Sequence, residues 1–199
     1  MAPKLQLIAF ATSSILENTR DFPGLAELQA ENEGNLDVYT YSTAADCQAH
    51  LADENKGALV TLVSSHGRWV DDENGKRVFQ LYAGREKLQD GQTSLPTIRS
   101  NGVVISACNV LDENQTLPPL LQTAVRGSAW TAGRGVVRRQ HVVWYTEQLL
   151  KRLGQLNSPH DALEALLEVD DYLAAERDKH RQGRQNVQPW RDIWSTPTI

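Results

Sequence analysis

Cysteine is scarce in this sequence: Cys47 and Cys108 are the only two among 199 residues. Two cysteines cannot build a disulfide framework, and they offer no zinc-ligand spacing. A reducing compartment with free thiols is the simplest home. Long apolar runs are missing too, for none reaches the roughly 18 residues of a membrane-spanning helix. The opening run Leu5-Gln6-Leu7-Ile8-Ala9-Phe10-Ala11 turns polar too soon for a secretory signal and suits a first strand better. Nor is there a basic excess. The formal net charge of −5 argues against a nucleic-acid binder. Basic residues do cluster at Arg134/Arg138/Arg139 and from Arg177 to Arg184, but Glu176 and Asp178 dilute the second group into a solvated helix end. A full phosphate-binding loop is also absent, since Gly133-Arg134-Gly135 ahead of a helix is only a fragment of one. These absences leave a cytoplasmic protein with neither nucleic acid nor membrane as partner, and with no metal or cofactor called for.

What is present fits one α/β domain over residues 1–199. Hydrophobic residues at 40% and charged residues at 23% suffice for a single core with a solvated surface. Apolar and β-branched runs predict strands at 5–11, 36–41, 58–64 and 102–108, with a hairpin strand at 77–82. Ser42-Thr43 followed by Asp46 predicts a capped helix running to about Glu54, where Lys56-Gly57 stops it. Further helices are expected near Leu25–Leu28 and over 117–125, 136–153 and from Ser158-Pro159 onward. A short apolar stretch, 127–133, adds a fifth core strand. Strand alternating with helix means a mostly parallel sheet covered on both faces. The tail from about residue 183 is polar, yet Trp190, Ile193 and Trp194 predict that it docks on the body.

Reactive groups in such sheets gather beyond the carboxyl ends of the strands. Two fall there: His66 just after one core strand and Cys108 at the end of the next. If those strands are neighbours, their ends lie about 5 Å apart. An imidazole can then take the proton of a thiol that faces a substrate carbonyl. Gly67 lacks a Cβ, so its backbone can approach a bound group, and its N–H with that of Cys108 could form an oxyanion hole. The bland alternatives are a buried small Cys and a loop His. Alternation along the strand puts Ser106 on the same face as Cys108, as a wall of the pocket for the residue preceding the cut. A small neutral hydroxyl at that position points to a neutral or apolar preference. Asp71, Asp72 and Glu73 follow His66 closely, and either orient the imidazole, attract a basic side chain or are simply solvated. His141 reads as a core or boundary histidine, His50, His160 and His180 as surface residues, and Cys47 as packing.

Ser65-His66-Gly67 after an apolar strand, then Ile105-Ser106-Ala107-Cys108-Asn109, resemble the CHAT family of caspase-like cysteine peptidases. Phe79–Gly84 is similar to a short strand of the family and Glu86-Lys87-Leu88 to a connecting turn. Ala124–Trp130 is similar to its following helix end and strand, and Val142–Leu166 to its closing helices. The resemblance spans roughly 58–168. It implies a three-layer caspase-like fold and proteolysis of a protein partner by a His66/Cys108 dyad, with the amides of Gly67 and Cys108 on the oxyanion. It places Trp130 on the strand beside the nucleophile, as a second pocket wall. Such domains act within larger regulated systems, bacterial defence among them, often with repeat modules. No helical-repeat arm precedes this one, so recruitment or activation would come from a separate chain or not exist. The family's small turn residue after the cysteine is also missing, as Val110-Leu111-Asp112 continues instead. Two other functions compete: a caspase-like scaffold without turnover, and a flavodoxin-like nucleotide or cofactor binder, for which Ala11-Thr12-Ser13-Ser14 is a faint loop signal.

Overall fold

Six consecutive residues of the first strand are buried, as expected of a strand covered on both faces. The computed structural model describes residues 4–53, 56–84, 86–154, 162–181 and 197–198. Strands β1 (Leu5–Phe10), β2 (Leu36–Tyr41), β3 (Val60–Ser64), β7 (Gly102–Ser106) and β8 (Ala129–Ala132) form one sheet in the order β2-β1-β3-β7-β8. Every pairing in it is parallel. A second, antiparallel sheet of β4 (His66–Asp71), β5 (Arg77–Ala83) and β6 (Glu86–Gln89) is inserted between β3 and β7.

The period-2 alternation of strand side chains sorts the core into two layers. Leu5, Leu7, Leu62 and Val104 face helices α1 (Leu25–Glu31), α4 (Arg139–Leu153) and α5 (Ala162–Arg181), meeting Leu25, Tyr145, Leu149 and Leu166. Ile8, Phe10, Val63, Val103 and Ile105 face the opposite way, onto α2 (Ala44–Ala52), α3 (Pro119–Ala124) and the inner side of the small sheet. Cys47, Leu51, Leu121, Phe79 and Leu88 close that side. The result is a three-layer α/β fold. Among the described residues no helix is long and apolar enough to cross a membrane.

Most elements lie where the hydrophobic pattern put them. Thr43 caps α2, its hydroxyl accepting from Asp46 N at 3.1 Å. The helix ends at Ala52, and Glu54 is outside the described residues. Two strands differ from expectation. No strand is expected over His66–Asp71, but β5 supplies a ladder partner for all six of its residues. Glu86–Gln89, expected as a turn, pairs with β5 in the same way.

His50 is a correction. Expected at the surface, it is 3% exposed, on the α2 stripe that also buries Cys47 and Leu51. Its Nδ1 lies 2.6 Å from Tyr41 OH and its Nε2 3.1 Å from Gln6 Oε1, while Gln6 Nε2 donates to Thr61 Oγ1 at 2.7 Å. Gln6 occupies an inward position of β1, so a polar partner had to come from the covering helix. His141 and Cys47 are buried, as expected. The tail is described only at its end, where Thr198 and Trp130 exchange backbone hydrogen bonds of 2.8 and 2.6 Å. Trp190, Ile193, Trp194 and His160 lie outside the described residues, as does the side chain of His180.

Candidate active site

β1 leads to β2 on one side and is flanked by β3 on the other, so the sheet reverses its winding between β1 and β3. Crevices form at such switch points, past the carboxyl ends of the strands. Here the crevice is a cavity of about 240 Å³. Thr12 and Ser13 after β1, Ser64, Ser65 and His66 at the end of β3, Ser106 of β7, and Val137 and Arg139 line it.

β3 and β7 are neighbours, with Ser64 directly opposite Ser106. His66 and Cys108 each follow by two residues. Ser65 N donates to Ser106 O at 3.0 Å, carrying the pairing one step past β3. The Ser65 hydroxyl then ties the junction to β5, donating to Tyr82 O at 2.9 Å and accepting from Tyr82 N at 3.2 Å. This leaves the His66 side chain exposed at the head of β4.

Gly67 is packed against the backbone of Cys108. A Cβ added there would lie 3.0 Å from Cys108 O, 3.1 Å from Ala107 Cβ and 2.7 Å from Phe79 Cζ. Only a residue without a side chain allows this approach. The ladder also orients its amide. Asp90 N donates to Phe79 O at 3.2 Å on the β6 side of β5. Alternation then makes Gly67 and Leu81 a pair without mutual hydrogen bonds, so the Gly67 N–H turns away from β5. The Cys108 amide has no acceptor among the described residues. Both proposed oxyanion donors are thus unengaged by the ladder.

The turn after the cysteine is made by Asn109, whose φ of 49° lies in the left-handed region. Asparagine tolerates that conformation better than other residues with a side chain. Asn109 N donates to Gly135 O at 3.0 Å and Val110 N to Gly133 O at 2.8 Å, while Trp69 Nε1 donates to Asn109 O at 2.9 Å. No glycine is needed after Cys108.

Cys108 is half-buried, and its Sγ donates to Val137 O at 3.6 Å. His66 Nε2 lies 3.4 Å from Arg139 Nη2. No hydrogen bond joins the imidazole to the thiol in this resting state. Arg139 also pairs with Asp21 and sits over the Phe22 ring at 5.6 Å. The second cysteine offers a contrast. Burial pushes the Cys47 thiol up to about 12, so it stays protonated at neutral pH.

His66, Gly67, Ser106 and Cys108 therefore meet at one sheet edge. Asp71 and Asp72 do not. They lie at the far end of β4, about 17 Å along an extended strand from His66. Asp72 Oδ1 accepts from Asn74 N at 2.9 Å and Lys76 N at 2.8 Å, closing the hairpin turn. Nearness in sequence becomes distance once the segment is a strand. Trp130 does not reach the cavity either. It pairs with Val103, three residues short of Ser106, and lines a separate surface hollow with Thr116, Leu117 and Ser128. Arg139, Asn18 and Asp21 have no counterpart among the expected site residues. The one sequence signal for Arg139 was its place in the basic cluster ahead of a helix following the fifth core strand. Compared with known proteins, the chain matches no family model and no curated protein.

Proposed function

We propose that this protein is a cysteine peptidase of the CHAT-type, caspase-like kind, with Cys108 as nucleophile and His66 as base. The observation that carries the reading is the β3–β7 pairing, which sets both residues two positions beyond facing serines, with Gly67 packed on Cys108.

On binding of a polypeptide, the Cys108 thiol leaves the Val137 carbonyl and passes its proton to His66. The thiolate attacks the scissile carbonyl carbon, and the resulting oxyanion accepts from the Gly67 and Cys108 N–H groups. As the tetrahedral species collapses, the C–N bond breaks and His66 returns the proton to the leaving amine. Water, deprotonated by His66, then hydrolyses the thioester. Catalytic hydrogen bonds are often unmade in substrate-free enzymes and form in the complex. A protein is the substrate.

Cys108→Ala and His66→Ala are each expected to lower cleavage of a peptide library at least a thousandfold, with unchanged melting curves. Iodoacetamide is expected to label Cys108 at neutral pH and to spare Cys47 in the folded protein. Full cleavage by Cys108→Ala would end the reading. One observation favours a second reading, a protein-binding module without turnover: the thiol is bonded to Val137 O and the imidazole lies against Arg139. Slow labelling of Cys108, no faster than that of buried Cys47 in the folded protein, would favour it.

A further inference from the structure

We propose that the cavity beside His66 receives the side chain preceding the cleaved bond and selects an uncharged, hydrogen-bonding end, a carboxamide best of all. The inference rests on the peptidase reading for its assignment to a substrate residue.

Three observations bear on the chemistry. First, Ser106 lines the cavity at 2% exposure, and its Oγ has no hydrogen-bond partner. Buried hydroxyls are normally satisfied, and one left open beside an accessible cavity is suited to a ligand atom. Second, no carboxylate lines the cavity among the described residues, and Arg139 is the lone charged lining residue. Asp21 already neutralises that guanidinium. A lysine or arginine side chain entering here would meet a cation and no counter-charge, while an acid would have to draw Arg139 away from Asp21. Third, two of the other polar walls, Asn18 and Ser65, are engaged. Asn18 Nδ2 donates to Asp21 Oδ2 at 3.0 Å, Asn18 Oδ1 accepts from Asp21 N at 3.2 Å, and Ser65 is held by Tyr82.

Besides the Ser106 hydroxyl in the wall, its neighbour Ser64 and the exposed Thr12 and Ser13 at the mouth are open to a ligand. Hydroxyls donate and accept, and a carboxamide presents both a carbonyl and an NH₂. Asn or Gln can thus satisfy Ser106 with one end of the amide and the mouth with the other. The remaining walls, Ala9, Phe10, Phe22 and Val142, suit the methylenes. A leucine would fit those walls but leave Ser106 unpartnered.

The test is a set of fluorogenic peptides differing only in the residue before the cut. Asn and Gln are expected to exceed Leu, Arg and Asp at least tenfold in kcat/KM. In Ser106→Ala the Asn-over-Leu ratio is expected to fall at least fivefold, and in Ser106→Asp the preference is expected to move to Arg and Lys. Selection of Arg, Lys or Leu by the unaltered protein overturns the inference while leaving the peptidase reading intact. So does an unchanged Asn-over-Leu ratio in a Ser106→Ala protein with a native melting curve. If no peptide is cut, the peptidase reading fails, and the cavity is tested alone. N-acetyl amides of Asn, Gln, Leu and Arg are titrated into Cys108→Ala by ligand-detected NMR. Binding of the Asn and Gln compounds at least fivefold tighter than the others supports the selectivity, and equal binding of all four overturns it.

Discussion

At Gly67 and Gly133 the backbone comes so close to the cysteine's own segment that any side chain would displace it. A methyl on Gly67 would meet the Phe79 ring and Cys108 O, which cannot shift without moving Cys108 itself. Gly67→Ala is therefore expected to cost about 1–3 kcal/mol and to reduce cleavage more than tenfold. A Cβ on Gly133 would fall 1.9 Å from Ala107 O, a backbone atom just past β7, so Gly133→Ala is expected to be the more destabilising of the two. Urea unfolding of both variants checks the order. If Gly67→Ala is as active as the parent protein, the close approach has no role at the site. At this scale the sequence was informative wherever a reactive side chain ended an apolar run, as with His66, Ser106 and Cys108. It was silent on Arg139, because an arginine beginning a helix looks solvated until Asp21 and Phe22 are brought over it from before α1.

Among the elements, α2 and α4 each bury a histidine, and both should make stability depend on pH. Burial, with Lys56 as a lesser cause, holds His50 below the ordinary histidine value. Burial, aided by Arg138, lowers His141 to about 4. His141 stands where a capping box usually has Glu or Gln, its Nδ1 accepting from Arg138 N at 3.1 Å. Below about pH 6.5 the unfolded chain binds protons that the folded chain refuses, so stability falls as pH falls. For His141 the loss continues to about pH 4 and then levels, because both states are protonated below that value. Melting temperatures taken between pH 7 and pH 4 should show this decline, and His141→Gln should flatten part of it while keeping the cap. A variant with the parent's full slope would mean that His141 contributes nothing to it. The capping role was not legible in the sequence, where the spacing of Arg138 and His141 has no familiar form. β4 and β6 were hidden for a related reason. Their residues have weak strand propensity, and what makes them strands is β5 lying between them.

For the molecule as a whole, the parallel sheet and its two covering layers could be anticipated because buried strands announce themselves as continuous apolar runs. The neighbour order, which brings Ser64 opposite Ser106, could only be supposed. That order has a consequence for how the chain tolerates added sequence. The segment from 65 to 101 leaves the main sheet and returns to the adjacent strand, so the small sheet is an excursion whose tip, Asp72 to Lys76, lies at the end of β4 opposite His66. The tip is held locally, by Gly75 N on Asp72 O at 2.9 Å and Asp72 N on Lys76 O at 2.8 Å. Lengthening a flexible loop costs only about 0.6 kcal/mol per doubling. A ten-residue glycine–serine insertion between Asn74 and Gly75 should therefore melt within a few degrees of the parent and retain its cleavage. A drop in activity with an unchanged melting temperature would place the tip in contact with substrate after all. If the insertion is silent, the hairpin tip is a splice point, where a whole recognition module can join the chain without the catalytic edge registering it.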